Sequence, residues 1–425
     1  MEYCKRCVYP ANAKPGIVFD DHGVCSGCRS FEAKTTHLSQ VDWPARERKL
    51  RALLEEYGDR QRAKGSPYDC IIPVSGGKDS HFQVYVVKER YGLNPLLVSY
   101  NHSFNTPLGI RNLTNLVDRM DCNLLRFTTA PGSAKRIARA MLHRVGDVTW
   151  HYHAGIMTFP IRAAVQYDVP LVIWGEEGFS ELVGMYNIDD FVEFTKKKRQ
   201  EHSMRGFEPE DLLLEPDSGL TRYDLAPFFY PSDEDLERVG VRGIYLSNFM
   251  PWDGRAQAEF VIEKLGFETA QARDRTFNLY AKTDDIHASG LHDYLKYLKF
   301  GYGRATDDAS NEVRHGRMTR ERAIEMVARY DHVRPFDMDV FLRSAGMTES
   351  ELLTAIEPMR DPAIWRRDAA GVWHTTDSVE KHRDDAGVEE ARIPLVDADR
   401  PFLRTPEKRG ARAQRDGEQK EYVLL

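Results

Sequence analysis

The chain has 425 residues, more than one hydrophobic core usually supports, which predicts a main domain with smaller appendages. Hydrophobic residues make up 41% and charged residues 29%, as in an ordinary globular enzyme, and the absence of a long apolar run excludes a membrane span. A formal net charge of -7 disfavours nucleic acid as a partner. The first residues lack the features of a secretory signal, which predicts a cytoplasmic protein.

Four of the six cysteines lie in the first 28 residues, as two CxxC pairs, Cys4 with Cys7 and Cys25 with Cys28. Two CxxC turns can supply the four tetrahedral sulfur ligands that Zn²⁺ favours. A redox dithiol and an iron–sulfur cluster are the competing interpretations. Because a site with four cysteine ligands has no open position, the prediction is a structural zinc knuckle over residues 1–35.

A charged segment over 36–66 is predicted as a helical linker, because Leu50, Leu53 and Leu54 fall on one helix face. From Tyr68 short apolar runs alternate with helical periodicity. The predicted strands are 70–74, 95–100, 124–127 and 171–174, and the predicted helices are 81–90, 109–120, 134–145 and 154–167. Continuous apolar runs indicate strands buried on both faces. This predicts an α/β fold with a doubly wound parallel sheet, in a domain of residues 67–290.

The remainder of the chain is more polar. The segment 186–231 is predicted to be a solvated excursion from the core rather than a binding surface. Apolar periodicity resumes at 243–247 and 256–265. A helical C-terminal region is predicted over 291–358, with amphipathic stretches at 291–300 and 320–330. Residues 359–425 are rich in charge and are predicted to form an extended or partly disordered tail.

A Gly-rich turn follows the first predicted strand, with the sequence Ser75-Gly76-Gly77-Lys78-Asp79-Ser80, and opens into the helix expected near His81. Glycines there let backbone N–H groups point at an anion, and a helix N-terminus adds partial positive charge. It is not a Walker A loop, because Asp79 stands where that pattern needs Ser or Thr. The six residues resemble the signature of the PP-loop ATP pyrophosphatases, which cleave ATP between the α- and β-phosphates.

This resemblance implies an ATP site, with Ser75, Gly76, Gly77, Lys78, Asp79 and Ser80 around the phosphates and Tyr100 near the adenine. Lys78 and the loop amides would neutralise the departing pyrophosphate, and Asp79 would hold or orient Mg²⁺. AMP would be transferred to a substrate oxygen. The implied cofactors are therefore ATP and Mg²⁺, beside the structural Zn²⁺.

Beyond this loop, the chain resembles the N-acetyl sugar amidotransferases of bacterial surface-polysaccharide synthesis. The matching stretches are the cysteine knuckle, 100–106, 150–155, 172–176 and 292–307. In that family ATP activates the carbonyl oxygen of a sugar N-acetyl group, and ammonia then displaces AMP to leave an acetamidino group. Since the chain has no Gly-x-Cys-x-Gly nucleophile turn and residue 2 is glutamate, the resemblance implies a separate glutaminase and a barrel-shaped subunit that channels ammonia.

Five further positions are candidate site residues. Glu176 follows the last strand of the first series, at the ligand-binding edge of such sheets, and is expected to orient Mg²⁺ or the attacking nitrogen. His151 and His153 are expected to contact the sugar or its phosphates, with a hydrogen-bonded structural role as the alternative. Arg304 and Asp307 follow a Gly-containing turn and are expected to bind phosphate or sugar hydroxyls, with helix capping as the alternative.

Two other functions fit parts of the pattern. A tRNA sulfurtransferase of the same superfamily can pair a zinc knuckle with this loop, but it needs catalytic cysteines and a basic face for RNA. Cys70 lies in a predicted buried strand, which leaves Cys122 as the candidate. The second alternative is a non-catalytic scaffold that binds adenine nucleotides and releases no AMP.

Overall fold

The computed structural model describes residues 1–35, 39–215, 218–271 and 273–385, without the side chains of 286–289. The strands in this part of the chain are β1 Cys70–Pro73, β2 Pro95–Asn101, β3 Leu124–Thr128, β4 Leu171–Trp174, β5 Arg242–Tyr245, β6 Trp365–Arg367 and β7 Trp373–Thr375.

The α-helices are α1 Ser26–Lys34, α2 Trp43–Ala63, α3 Lys78–Tyr85, α4 Pro107–Met120, α5 Pro131–Val145, α6 Trp150–Tyr167, α7 Gly178–Val183, α8 Lys196–Lys198, α9 Pro209–Leu213, α10 Arg222–Leu225, α11 Asp233–Val239, α12 Gly254–Leu265, α13 Ile286–Phe300, α14 Arg304–Arg314, α15 Arg320–Tyr330, α16 Met338–Ala345 and α17 Glu349–Ile356. Single π-helical turns follow α3 and α8, at Val86–Arg90 and Arg199–Ser203.

The first five strands form one sheet in the order β3-β2-β1-β4-β5, and each neighbouring pair is parallel. Ile71, Leu97 and Val172 in the three central strands are fully buried. Burial on both faces explains why these strands read as continuous apolar runs. The predicted doubly wound α/β fold is confirmed.

Both faces of the sheet are covered by helices. On one face, Ile72 and Ile173 belong to a core with Leu50 of α2 and Leu116 of α4. The predicted linker helix therefore packs on the main domain through its apolar face. On the other face, Ile71 and Val172 pack with α6 and with Phe194 from the 186–231 segment. The alternation of residues 71 and 72 between the two cores follows from the period of two in a strand.

The strand order reverses at the centre of the sheet. From β1 the chain moves outward through β2 to β3, and it then returns to place β4 on the other side of β1. In open parallel sheets, ligands bind in the crevice at the carboxyl ends of the strands, where the order reverses. Residues 75–80 follow β1 and Glu176 follows β4, so the topology brings both to this crevice.

The helix after the Gly-rich turn begins at Lys78, not near His81 as the sequence predicts. Gly77 is extended, with φ -71° and ψ 174°, and serves as the N-cap. Its carbonyl oxygen already accepts from the backbone N–H of His81 at 3.2 Å. Apolar periodicity misses this start because Lys78 and Asp79 occupy the first turn, whose side chains belong to the crevice rather than to the core.

The segment 186–231 is packed against the sheet, and its prediction as a solvated excursion is wrong in part. Arg199 is fully buried and its guanidinium contacts Glu208 at 2.6 Å. Lys198 is buried in an ion pair with Glu177. Lys196 remains exposed. A polar sequence can be buried when its charges find partners, and those partners cannot be seen from local composition.

Helices α13 to α17 form the predicted helical C-terminal region, and its first helix begins at Ile286 rather than at 291. Leu291 and Leu295 pack with Leu342 of α16 and Ile356 of α17. The cysteine segment packs on the same region. Val8 and its neighbours share a buried apolar cluster with residues of α14 and α15. The domain boundaries expected from the sequence remain predictions.

The tail begins with ordered structure, which corrects the expectation of an extended segment from 359. Strands β6 and β7 pair antiparallel, and the ring of Trp365 is buried against Tyr297 with centroids 5.6 Å apart. The guanidinium of Arg360 lies over the same Trp365 ring at 4.3 Å. Residues 386–425 lie outside the described part. Among the described helices, none combines the length and apolarity needed to cross a membrane.

Candidate functional site

A cleft of about 430 Å³ opens at the carboxyl ends of β1, β2 and β4. Its walls bring together the Gly-rich turn, the end of β2, the residues after β4 and a distant segment that enters α13. Its lining includes the side chains of Ser75, Lys78, Asp79, Ser80, Tyr100, His153, Glu176, Lys282, Asp284 and His292.

The turn after β1 is wound tightly enough to cradle phosphate. Gly76 has φ +91°, and a Cβ at this position would lie 2.8 Å from Leu113 Cα, so only glycine fits. The backbone N–H of Ser75 donates to Ser80 Oγ at 3.0 Å, and Ser75 Oγ accepts from the N–H of Gly77 at 3.2 Å. The start of α3 therefore faces the cleft with a fixed loop, a geometry suited to an anion.

Lys78 and Asp79 form an ion pair at the start of α3. Lys78 Nζ donates to both carboxylate oxygens of Asp79 at 2.7 Å, and the lysine is 7% exposed. Burial opposes the charged amine, but Asp79 and Glu176 outweigh burial and raise the pKa of Lys78. A charged lysine thus lies beside the loop.

Glu176 is the second carboxyl group in this part of the cleft. Burial, followed by the charge of Asp79, raises its pKa to about 7. Its neighbour Glu177 fixes the turn, because the backbone N–H of Glu177 donates to Ser247 Oγ at 2.9 Å and its carboxylate caps α7. The carboxyls of Asp79 and Glu176 are oxygen donors of the kind that a divalent cation prefers.

Tyr100 lines the cleft, but His151 does not. Tyr100 Oη lies 2.7 Å from Thr129 Oγ1 and 3.2 Å from Nδ1 of His151. His151 is 2% exposed, and burial lowers its pKa to about 3. His151 therefore contacts Tyr100 without lining the cleft. The expected contact of His151 with the sugar is corrected to the structural alternative. His153 lines the cleft, and its contact with the sugar or its phosphates stays a prediction.

Arg304 and Asp307 lie outside the lining of the cleft, which corrects their expected role in substrate binding. Arg304 makes two parallel contacts of 2.8 Å with Asp293, and Asp307 accepts from Lys296 and from Tyr9 Oη at 2.7 Å each. These buried pairs join the cysteine segment to α13 and α14. A Gly-containing turn before a helix is common to ligand loops and buried helix starts, so the local pattern could not separate them.

The structure adds site residues that sequence reasoning missed, namely Lys282, Asp284, Asp285 and His292. Burial and Asp285 raise the pKa of Asp284 to about 6. The approach of this segment to the loop is fixed by Thr106 Oγ1, which donates to the carbonyl of Thr283 at 2.6 Å. No periodicity marks residues 282–285, because they lie in an irregular segment. His292 lies in the matching stretch 292–307, so the family resemblance could have identified it.

The four cysteines of the predicted knuckle come together. Cys4, Cys7, Cys25 and Cys28 are buried, and their sulfur atoms all lie within 4.8 Å of one another. Four sulfur donors at this separation fit one tetrahedral metal ion, and none of the four cysteines is in a disulfide. The cluster lies in the packed interface with α14 and α15, apart from the cleft.

Comparison with protein families finds a match in the C-terminal part of the chain. Residues 256–380 match the family model of the LPS biosynthesis protein WbpG-like, C-terminal domain. The matched segment includes Lys282, Asp284 and His292, which line the cleft. The segment that is similar to the C-terminal domain of WbpG-like proteins of lipopolysaccharide (LPS) biosynthesis thus lines the same cleft as the loop at residues 75–80.

Among curated proteins, the uncharacterized protein MJ1599 of Methanocaldococcus jannaschii is 27% identical over 122 residues, which are 29% of this chain. The alignment spans 41% of that relative. Among solved structures, NMN synthetase from Francisella tularensis is 15% identical with a TM-score of 0.26, and the NH3-dependent NAD synthetase from Campylobacter jejuni subsp. jejuni is 13% identical with a TM-score of 0.25. Both cover 47% of this chain and 92% of their own. At these TM-scores the likeness carries no conclusion about activity.

Proposed function

We propose that the protein is an ATP-dependent N-acetyl sugar amidotransferase of LPS biosynthesis, which forms AMP and pyrophosphate. The observation that carries the proposal is the shared cleft. Lys78 and Asp79 line it from the phosphate loop, and Asp284 and His292 line it from the segment that matches a WbpG-like domain. Groups suited to ATP and groups of a polysaccharide-biosynthesis domain therefore face the same space.

In the first step, the carbonyl oxygen of the N-acetyl group attacks the α-phosphorus of ATP, and the bond to the β-phosphate breaks. The backbone N–H groups at the start of α3 and the ammonium of Lys78 stabilise the negative charge of the departing pyrophosphate. Ser75 and Ser80 hold the loop in the conformation that exposes those N–H groups. Tyr100, at the end of β2, forms the wall for the adenine.

Two metal ions belong to this proposal. Mg²⁺ would be held by Asp79 and Glu176. Its charge would neutralise the phosphates and lower the pKa of Glu176 from its raised value of about 7. Zn²⁺ would be held by the four-cysteine cluster, which has the ligand set of a structural site with no open position.

In the second step, ammonia displaces AMP and leaves an acetamidino sugar. Ammonia would come from a separate glutaminase through a barrel-shaped subunit, and the reaction would take place in the cytoplasm. Sulfur transfer to tRNA is disfavoured, because Cys70 is fully buried and Cys122 contacts Lys88 and the carbonyl of Met120. Within the described residues, neither cysteine lines the cleft.

The test is a product assay on the purified chain with MgATP, ammonium chloride and a set of UDP-linked N-acetyl sugars. The expected products are AMP, pyrophosphate and a sugar in which oxygen is replaced by NH, detected by mass spectrometry. ADP as the product contradicts the proposal, and absence of AMP with every sugar favours the nucleotide-binding scaffold. The Cys122→Ser variant is the control for sulfur transfer, and its rate of amidation should stay within about twofold of the wild type.

A further inference from the structure

Two imidazoles from different helices line the cleft together. His153 of α6 and His292 of α13 have ring centroids 5.6 Å apart, with an angle of 62° between the ring planes. Nδ1 of His153 is buried and has no hydrogen-bond partner in the part of the chain that the structure describes. A buried ring nitrogen without a partner is unfavourable unless a ligand satisfies it.

The second imidazole is held by a buried carboxylate. Asp147 is 1% exposed, and its Oδ1 lies 3.3 Å from Nδ1 of His292, while Thr149 Oγ1 lies 3.0 Å from the same nitrogen. Burial opposes ionisation, but Arg205 and His292 hold the pKa of Asp147 well below its usual range. A carboxylate at Nδ1 favours the tautomer with the proton on that nitrogen, which leaves Nε2 of His292 as an acceptor.

Both imidazoles are uncharged at neutral pH, and the Asp147 carboxylate favours a positive charge on either ring. Burial lowers the pKa of His153 to about 3, and it also lowers the pKa of His292. The charged groups that face them are Asp147, Asp293, Arg205 and Lys282. Both rings are therefore neutral near neutral pH. A neutral ring beside the carboxylate of Asp147 is a poor site for a phosphate and a suitable one for an amine.

We propose, on the basis of the proposed amidotransferase activity, that His153 and His292 form the amine site of this cleft: both bind ammonia, and His292, beside the Asp147 carboxylate, accepts the proton that ammonia loses on attack. Asp147 acts through His292 and is a positioning residue. The histidines serve the second step alone, whereas Lys78 and the loop serve the first.

Attack by ammonia forms one C–N bond and breaks the C–O bond to AMP. After adenylation, the former amide carbon carries a C–O bond to AMP and a protonated nitrogen. The nitrogen lone pair of ammonia forms a new C–N bond, and one proton of the resulting ammonium passes to an imidazole. The C–O bond then breaks with its electron pair leaving on AMP, and the carbon becomes an amidinium. The imidazolium releases its proton to solvent before the next turnover.

The experiment separates the two steps in the full-length protein. Exchange of labelled pyrophosphate into ATP, dependent on the UDP-linked N-acetyl sugar, reports adenylation, and appearance of the acetamidino product reports amine attack. The variants are His292→Asn, which keeps a donor for Asp147, and His153→Gln. The matched control is His143→Asn, an exposed histidine on α5.

For both variants, pyrophosphate exchange should stay within about threefold of the wild type, and amidation with ammonium chloride should fall by about 100-fold or more. The ammonium formed when hydroxylamine attacks is a stronger acid than the one formed from ammonia. Hydroxylamine should therefore restore product formation in the variants. A residue that only supports the fold would not show this rescue.

Two results overturn the inference. One is amidation within about threefold of the wild type in both variants. The other is an equal loss of exchange and amidation in folded protein, which would place the histidines in sugar binding. If the wild type itself shows no sugar-dependent exchange, the proposed function fails first and this inference falls with it.

Discussion

The guanidinium of Arg314 lies 3.7 Å from Sγ of Cys25, and its other terminal nitrogen donates to the carbonyl of Leu182 at 2.7 Å. Arg314 is 1% exposed, and a Cβ at Gly27 would collide with it, so α1 needs glycine there. One buried charge thus contacts the four-cysteine cluster and α7, which begins two residues after Glu176. Four thiolates around one divalent ion bear net negative charge, and the arginine offsets it.

Arg314→Met should weaken both contacts, because the thiolates lose their buried counter-charge and the carbonyl of Leu182 loses its donor. The expected loss of stability is about 3 to 5 kcal/mol. Zinc per chain after dialysis should fall, and proteolytic cleavage within 178–183 should become faster. The control is Arg322→Met, whose side chain is exposed. Unchanged zinc content together with unchanged cleavage contradicts this link.

Lys78→Ala should abolish pyrophosphate release while the fold is retained. The lysine carries charge beside the loop, and loss of one such charge from a transition state reduces the rate by about 100-fold to 1000-fold. The measurement is pyrophosphate release with MgATP and a UDP-linked N-acetyl sugar, with circular dichroism as the check on folding. Lys196→Ala, at an exposed lysine, is the control. A loss of only about twofold would remove Lys78 from its assigned role.

The sequence predicts the part of the site that depends on local order along the chain. Residues 75–80 are recognisable because a buried strand, a Gly-rich turn and a helix follow one another. Glu176 is recognisable because it comes directly after a strand, and parallel strands end at one edge. The positions of residues 75–80 and of Glu176 in the fold both follow from the order of strands, turns and helices along the chain.

The remaining site residues depend on contacts between distant segments. Asp284 reaches the loop from an irregular segment, so no period marks it. Arg304 and Asp307 resemble ligand-binding residues in their turn, but Asp293 and Lys296 on another helix neutralise them. His151 and His153 are two residues apart, and helix geometry sends them to different surroundings. Pairing and burial of this kind become visible only in three dimensions.

Arg304→Met tests the corrected role of Arg304. It leaves Asp293 buried without its bidentate partner, and breaking a buried pair in this way costs about 3 to 5 kcal/mol. The denaturant midpoint should fall, and the KM of the folded variant for the sugar should stay close to that of the wild type. The double variant with Asp293→Asn should regain part of the loss, because no buried charge remains unpaired. Unchanged stability with a raised KM would return Arg304 to substrate binding.

Asp284→Asn should make stability less dependent on pH. The ordinary carboxyl value is 3.8, and burial and Asp285 raise the pKa of Asp284 to about 6 in the folded chain. Between these values the folded chain holds a proton that the unfolded chain has released, so the wild type loses stability as pH rises through this window.

The penalty is fully present above the folded pKa and amounts to at most about 3 kcal/mol. Asparagine carries no charge at any pH, so the variant should be more stable than the wild type at about pH 8, and its advantage should vanish near pH 4. Urea midpoints across this range measure the difference, with Asp233→Asn at an exposed position as the control. A variant less stable than the wild type at about pH 8 would mean that the Asp284 carboxylate, through its contact with Ser75, stabilises the phosphate loop more than its burial destabilises the fold.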